Sequence, residues 1–246
     1  MRRALALGFA LGGFACAGPI VEHQVHDVDP KMLAKIAVVP FAVSPEFKGS
    51  GASTAPAPPS LEPEGMVREG REKNSTALPA AKPASAGGNE GPEAAALATK
   101  MASEAFAAAG FQVIPASDVA QLFEAAGQNV PREDRAALAA AVAKEFGATA
   151  VLSGTVYRYR ERSGGELGTT QPASVGLELA LYTAPGVRPL WTARFDHTQQ
   201  ALSQNALVAP RYPGAGSRWL TAAELARWGL DTAAKQLAEQ RPAEPQ

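Results

Sequence analysis

Cysteine is almost absent from this chain of 246 residues: it occurs once, as Cys16, at the end of an apolar run near the amino terminus. The rest of the chain therefore forms no internal disulfide, and its composition does not indicate a redox compartment. No stretch reaches the roughly 18 consecutive apolar residues that predict a transmembrane helix. These two absences make the position of Cys16 the feature that most needs an explanation.

An excess of basic charge and the common catalytic motifs are also missing. With 23 basic and 24 acidic residues, the chain lacks the clustered positive surface that nucleic acid requires. It has no Gly-rich phosphate loop and no H-E-x-x-H, and Ser153 does not lie in a G-x-S-x-G elbow. His23 and His26 lie among carboxylates, but in a stretch without helix signals, so a solvated linker is favoured over a zinc site. We therefore expect no nucleic-acid partner, metal, cofactor or enzymatic activity.

The amino terminus has the pattern of an export signal. Two arginines follow Met1, and residues 4–15 (ALALGFALGGFA) form an uncharged apolar stretch of 12 residues. That length is too short to span a hydrocarbon core of about 30 Å as a helix but is typical of a cleaved signal peptide. We predict a signal peptide over residues 1–15.

The residues around Cys16 indicate two ways of processing. Gly13-Phe14-Ala15-Cys16 resembles the lipobox of bacterial lipoprotein precursors, with a small residue before the cysteine and Gly13 where leucine is usual. The resemblance implies that Cys16 is acylated, becomes the new amino terminus and anchors the protein to a membrane. Ala17 is not aspartate, which by resemblance to sorted lipoproteins implies the outer membrane. The alternative is cleavage after the A-x-A site Ala15-Cys16-Ala17, which releases a soluble periplasmic protein beginning at Gly18.

Composition divides the remainder into a tether, one domain and an insertion. Residues 16–33 are predicted to be the lipidated tether, and residues 34–47 with 93–240 to form the domain. The stretch 48–92 contains seven prolines and seven glycines and few large apolar residues. Because so little apolar area cannot offset the entropy of ordering a chain, we predict a disordered insertion there.

The domain pattern predicts an α/β (α+β) fold with a mixed sheet of about five strands and helices packed on it. The predicted order is β-α-β-α-α-β-β-β-α. Short apolar runs at 35–41 and 111–115 predict buried strands. In the last two strands, apolar and polar residues alternate on either side of a turn at Ala184-Pro185-Gly186. Thr221 and Glu224 have the spacing of a capping box for the final helix.

Three of these segments carry a family resemblance. KIAVVPF (35–41), AGFQVI (109–114) and FGATAVLSGTVY (146–157), followed by a hairpin with Trp191, resemble the small α/β domain of a group of envelope lipoproteins. The group comprises the curli-secretion-channel family, the lipoprotein activators of penicillin-binding proteins and the amino-terminal domain of the Tol translocation protein. The resemblance implies that the protein binds other proteins in the periplasm, and it identifies no functional residue.

Two sets of side chains are candidates for contacting a partner. One is the predicted loop before the last helix, where Arg and aromatic residues of the type that dominates binding hot spots occur: Arg211, Tyr212, Arg218 and Trp219. The other is a row of arginines expected on one face of a strand, with Tyr157 and Tyr159 on the opposite face: Arg158, Arg160 and Arg162.

The leading functional hypothesis is a non-enzymatic envelope lipoprotein that binds an envelope protein as an assembly or regulatory factor. A hydrolase that acts on cell-wall material and a structural spacer between membrane and wall are the alternatives. The hydrolase lacks a nucleophile and base with diagnostic spacing.

Overall fold

The computed structural model describes residues 21–26, 28–49, 90–200, 212–213 and 217–241. The predicted signal peptide, Cys16, Arg211 and nearly all of the predicted insertion lie outside these residues. The strands within them are β1 Glu22–Val25, β2 Lys35–Val38, β3 Ala42–Lys48, β4 Gln112–Ile114, β5 Ala150–Arg160, β6 Ser163–Gly164, β7 Thr169–Gln171, β8 Ser174–Thr183 and β9 Pro189–Thr198. The α-helices are α1 Glu90–Ala108, α2 Ala116–Ala125, α3 Arg135–Phe146 and α4 Ala222–Ala238.

The main sheet is mixed, as the sequence predicts. Its order is β1-β9-β8-β5-β2-β4, and β3 pairs with the second half of β5. The β2–β4, β2–β5 and β3–β5 pairs are parallel, whereas β5–β8, β8–β9 and β1–β9 are antiparallel. The α/β fold class is therefore confirmed, although the sheet has seven strands in the described part of the chain rather than about five.

The predicted tether is corrected in its second half. Residues 22–25 pair antiparallel with β9, from Glu22 opposite Arg194 to Val25 opposite Trp191, and Val21 is fully buried. Pro30–Leu33 then form a 3-10 turn capped by the Asp29 side chain. The sequence did not predict this strand because its residues are mostly polar. An edge strand needs only backbone hydrogen bonds and one buried anchor.

The sheet carries helices on both faces, and each face has its own core. The larger core lies between the sheet and helices α1 and α4, and it includes Phe106, Trp191 and Leu225. The smaller core lies under α2 and α3 and includes Phe123 and Val151. It covers β4, β2, the start of β5 and the end of β8 at Tyr182, so this second face is covered in part.

The helix ends follow local chemistry. Gly147 ends α3 with φ of +64°, a conformation that favours glycine. The capping box of Thr221 and Glu224 is confirmed, with both reciprocal hydrogen bonds present. By contrast, α2 begins after Pro115 with no side-chain cap.

Gly229 lies inside α4, and the helix continues through it. A Cβ at this position would lie 2.6 Å from the Phe195 ring. The absence of a side chain at Gly229 therefore lets helix α4 pack directly against the Phe195 ring of β9.

Candidate functional site

The sheet face shared with α2 and α3 is left open beyond those helices. Two cross-strand rows define this open face: Ser153, Ala180, Thr192 and Gln24 face one another in register, and so do Thr155, Glu178, Arg194 and Glu22. Its centre is formed by Ser153, Thr155, Glu178, Ala180, Thr192 and Arg194. Small and hydroxylated side chains thus alternate with charged ones on a surface that reaches solvent.

The open face is concave. A groove of about 460 Å³ lies over the strands and is bordered by Arg135 at the start of α3 and by Gln24 on β1. A second groove of about 350 Å³ continues toward Asp196 and the end of β3. Because the walls are strands and a helix start, the shape of the surface is set by the hydrogen-bonded scaffold.

A network of ion pairs fixes the charged side chains of this face. Arg194 contacts Glu178 at 3.1 Å and Asp196 at 3.3 Å, and Arg158 forms a further ion pair with Asp196. Burial disfavours the charged form of Asp196, but its hydrogen bonds and ion pair with Arg158, followed by Tyr157 and Arg194, outweigh that effect and lower its pKa. Asp196 is therefore held as a carboxylate that orients both guanidiniums.

Tyr157 lies beneath these arginines. The Arg194 guanidinium is 5.1 Å from its ring centroid, that of Arg158 is 6.0 Å away, and the Tyr157 hydroxyl donates to the Phe195 carbonyl at 3.3 Å. Burial, followed by the charge of Asp196, raises the pKa of the phenol. Tyr157 is therefore a neutral platform for two guanidiniums.

The predicted arrangement of the arginine row is wrong in one respect. The β5–β8 register shifts between Val156 and Arg158, so the strict alternation of the strand is broken at Tyr157. The ring of Tyr157 covers Gly176 on the open face, whereas Tyr159 packs against the larger core on the opposite face. A β-bulge inserts one extra residue and so shifts the pattern, which alternation in the sequence does not reveal.

The three arginines of that row have different surroundings. Arg158 is ion-paired with Asp196, and the Arg162 guanidinium donates to the Trp219 carbonyl at 2.9 Å. Arg160 forms no ion pair with any residue in the described ranges, and its Nε is buried without a hydrogen-bond acceptor. Burial, with a smaller effect of the nearby Arg158 charge, lowers the pKa of Arg160.

The predicted binding loop before α4 is corrected for Tyr212. Its side chain is only 4% exposed, and its hydroxyl lies 2.9 Å from Nε2 of His197. The Trp228 ring is 5.0 Å from the Tyr212 ring, and the His197 ring is 5.5 Å away. Tyr212 is thus part of the core beside α4, because an aromatic ring with a single hydroxyl is stabilised by burial when that hydroxyl has a partner.

Arg218 is also engaged within the protein. Its guanidinium contacts both carboxylate oxygens of Glu224, at 2.9 Å and 2.5 Å, and so reinforces the capping box. The hydrogen bond with Arg218 is the main reason that the pKa of Glu224 is lowered to about 2. Arg218 therefore has a structural partner in place of the free surface that the sequence suggests.

Trp219 keeps part of its surface exposed and connects the two predicted patches. Its backbone N–H donates to the Glu166 carbonyl at 2.8 Å, and its own carbonyl accepts from Arg162. The loop before α4 and the end of the arginine row, which the sequence predicts as separate surfaces, therefore meet at this residue.

Ser153 lies at the centre of the open face. The Ser153 hydroxyl donates to the Ala180 carbonyl at 3.3 Å and to no histidine or carboxylate. No group of three or more metal-ligating side chains occurs among the described residues. None of the helices in those ranges has the length and apolar character needed to cross a bilayer.

The open face was not predicted from the sequence. The signal that was present is the alternation of Thr192, Arg194 and Asp196 in β9, which indicates a half-buried strand. That alternation does not reveal that helices stop short of these residues.

Comparison with known proteins gives no family for this chain. No family model matches it, and no curated protein matches it. Among solved structures, the PelC dodecamer from Paraburkholderia phytofirmans is similar at 17% identity over 86% of this chain and 96% of that chain, with a TM-score of 0.40. Lipoprotein GNA1162 from Neisseria meningitidis is similar at 17% identity over 72% of this chain and 94% of that chain, with a TM-score of 0.38. Likeness at this level does not indicate what the chain binds or does.

Proposed function

We propose that this protein is a bacterial envelope lipoprotein, anchored through Cys16 to the periplasmic face of the outer membrane, that binds another envelope protein without catalysing a reaction. Its role is that of an assembly or regulatory factor. The signal pattern of residues 1–15 and the lipobox-like residues before Cys16 support the anchor. The soluble product beginning at Gly18 is the alternative that the same residues allow.

The observation that carries the binding role is the open face. Arg194 is held between Glu178 and Asp196 and lies over Tyr157, so an arginine and an aromatic ring are presented in fixed positions. Arginine and tyrosine are enriched in binding hot spots, and a surface that is ordered before binding loses less entropy when a partner docks.

The composition of the face indicates the chemistry of the partner. Charges of both signs alternate with Thr192, Thr155 and Ser153, so a matching surface must offer both carboxylates and donors. Such paired charges select a partner by register more than they add affinity. A folded protein surface or extended protein segment of mixed charge meets that requirement.

The anchor is tested by metabolic labelling with a palmitate analogue. Wild-type protein is expected to take up the label, and Cys16→Ala is expected to take up none because acylation requires the thiol. An unlabelled wild-type protein whose mature chain begins at Gly18 would establish the A-x-A cleavage and rule out the anchor.

The binding face is tested by placing a photoactivatable side chain at Thr192 in the cell. The same partner should be cross-linked by a probe at Thr155 and not by one at Gln121, an exposed residue of α2. Thr192→Arg should then abolish capture of that partner, while Gln121→Arg leaves capture unchanged. Equal cross-linking from Gln121, or full capture by Thr192→Arg, would contradict the assignment.

A further inference from the structure

Leu167 is the most exposed large apolar side chain among the described residues, with 91% of its surface accessible. It lies at the tip of the hairpin formed by β6 and β7, between Gly165 and Gly168. The hairpin extends the β5–β8 pair, whose last partners are Arg160 and Ser174. An apolar side chain is thus held out from the end of the sheet.

The hairpin is fixed to the domain on the side of α4. The backbone N–H of Trp219, which is partly exposed, donates to the carbonyl of Glu166, the residue next to Leu167. The Glu161 carboxylate, just before β6, accepts a hydrogen bond from the N–H of Ala222 at 3.1 Å. Leu167 and Trp219 therefore belong to one surface, with the Arg162 guanidinium bonded to the Trp219 carbonyl.

This surface lies at the end of the sheet where β5 ends at Arg160, β8 begins at Ser174 and β9 ends at Thr198, here called the Thr198 end. β1 runs antiparallel to β9, with Glu22 opposite Arg194 and Val25 opposite Trp191. The chain therefore enters β1 from the Thr198 end and runs away from it.

The chain between the anchor and β1 is short. Five residues lie between Cys16 and Glu22, so the acylated residue lies within about 20 Å of the start of β1. Arg194, the partner of Glu22, is four residues from Thr198, a distance of about 13 Å along a strand. An anchor at Cys16 therefore reaches a membrane surface placed against the Thr198 end.

We propose that Leu167 and Trp219 dock on the outer-membrane surface, with Leu167 entering the boundary between head groups and acyl chains. The inference rests on the acylation of Cys16 proposed above. Tryptophan is enriched at membrane interfaces because its ring is apolar and its N–H is polar. Arg160, which forms no ion pair within the described ranges, ends β5 at the same end of the sheet.

The test uses the full acylated protein reconstituted into vesicles of phosphatidylethanolamine with a minor share of phosphatidylglycerol. An environment-sensitive nitrobenzoxadiazole label is attached at Gly168→Cys, where an added Cβ meets no atom within 4 Å. Cys16 does not react because acylation consumes its thiol. The control label is attached at Pro189→Cys, which is exposed and lies at the opposite end of β9.

Quenching by spin-labelled lipid should be several-fold stronger at residue 168 than at residue 189. Adding Leu167→Asp should reduce the signal at 168 to that of the control, while vesicle flotation stays complete because the anchor is intact. Equal quenching at the two positions in protein that floats would overturn the docking and leave the anchor standing. Protein that carries no acyl chain and does not float would overturn the anchor, and the docking with it.

Discussion

Tyr212 illustrates how far the role of one residue depends on its surroundings. In the sequence it lies between Arg211 and Pro213, in a stretch with the composition of an exposed loop. In the structure its ring contacts His197 and Trp228, and its hydroxyl has a hydrogen-bond partner. A tyrosine suited to a binding surface is equally suited to the edge of a core.

Tyr212→Ala should therefore destabilise the protein. Removing a buried aromatic ring leaves a cavity, and the expected loss in free energy of unfolding is about 3 kcal/mol or more. Tyr212→Phe keeps the ring and removes only the hydrogen bond, which should cost about 1 kcal/mol. Chemical denaturation measures both, and a Tyr212→Ala protein as stable as wild type would contradict the burial of this ring.

His197 makes the stability of the same cluster depend on pH. Burial lowers the pKa of its imidazole, with a smaller opposing effect of Asp196. The unfolded chain then takes up a proton at a higher pH than the folded protein, so stability falls as pH decreases below about 6.5.

Thermal unfolding measured between pH 7 and pH 5 tests this dependence. The wild-type melting temperature should decrease across the interval, and the decrease should be smaller in His197→Gln. The lowered pKa of Asp196 adds no loss in this interval, because that carboxylate is ionised in both states. Identical slopes for the two proteins would exclude His197 as the cause.

At the scale of elements, patterns within one segment were sufficient for most assignments. The capping box of α4 was visible in the sequence because it depends on Thr221 and Glu224, which are three positions apart. β1 was not visible, since its four residues are all exposed and pair only with β9. The strand is defined by a partner about 170 positions away in the chain, and no local sequence pattern reveals that pairing.

Truncation separates the strand from the tether. A chain lacking residues 17–26 should unfold at a lower temperature, because β9 loses its partner and the pocket of Val21 against Leu230 and Ala233 is emptied. A chain lacking residues 17–20 should melt like the wild type. Equal melting of the two truncated chains would show that β1 does not contribute to stability.

At the scale of the whole molecule, the long insertion leaves and re-enters the domain at one place. A Cβ built on Gly49 would lie within contact distance of the Glu90 carboxylate, so the two ends of the described chain are adjacent. Joining adjacent ends requires few residues, and the entropy of closing a loop changes slowly with its length.

Replacing residues 50–89 with a short Gly-Ser linker should therefore leave the fold stable. The melting temperature should change by less than about 10 °C, since 1 kcal/mol shifts a domain of this size by roughly 2–4 °C. A larger decrease, measured by circular dichroism beside the wild-type protein, would mean that the segment contributes to the packing of the domain.

The two proposed surfaces have different relations to the membrane. Leu167 and Trp219 lie at the Thr198 end of the sheet, whereas the centre of the open face, at Ser153, Ala180 and Thr192, lies farther along the strands. If the Thr198 end meets the bilayer, the open face is directed into the periplasm. One anchor is then compatible with both docking on lipid and binding a protein partner.

The amino-acid sequence by itself determined the α/β class, the four helices of the described ranges and the mixed sheet, because apolar periodicity and glycine stops act within a segment. The tertiary structure alone decided that α2 and α3 stop short of Thr192 and Arg194, that a bulge places Tyr157 and Arg158 on the same face, and that Tyr212 is buried. Each of these outcomes depends on contacts between residues distant in the chain. Periodicity indicates that a helix or strand has a buried side and an exposed side, but only packing establishes which face of the sheet is left open.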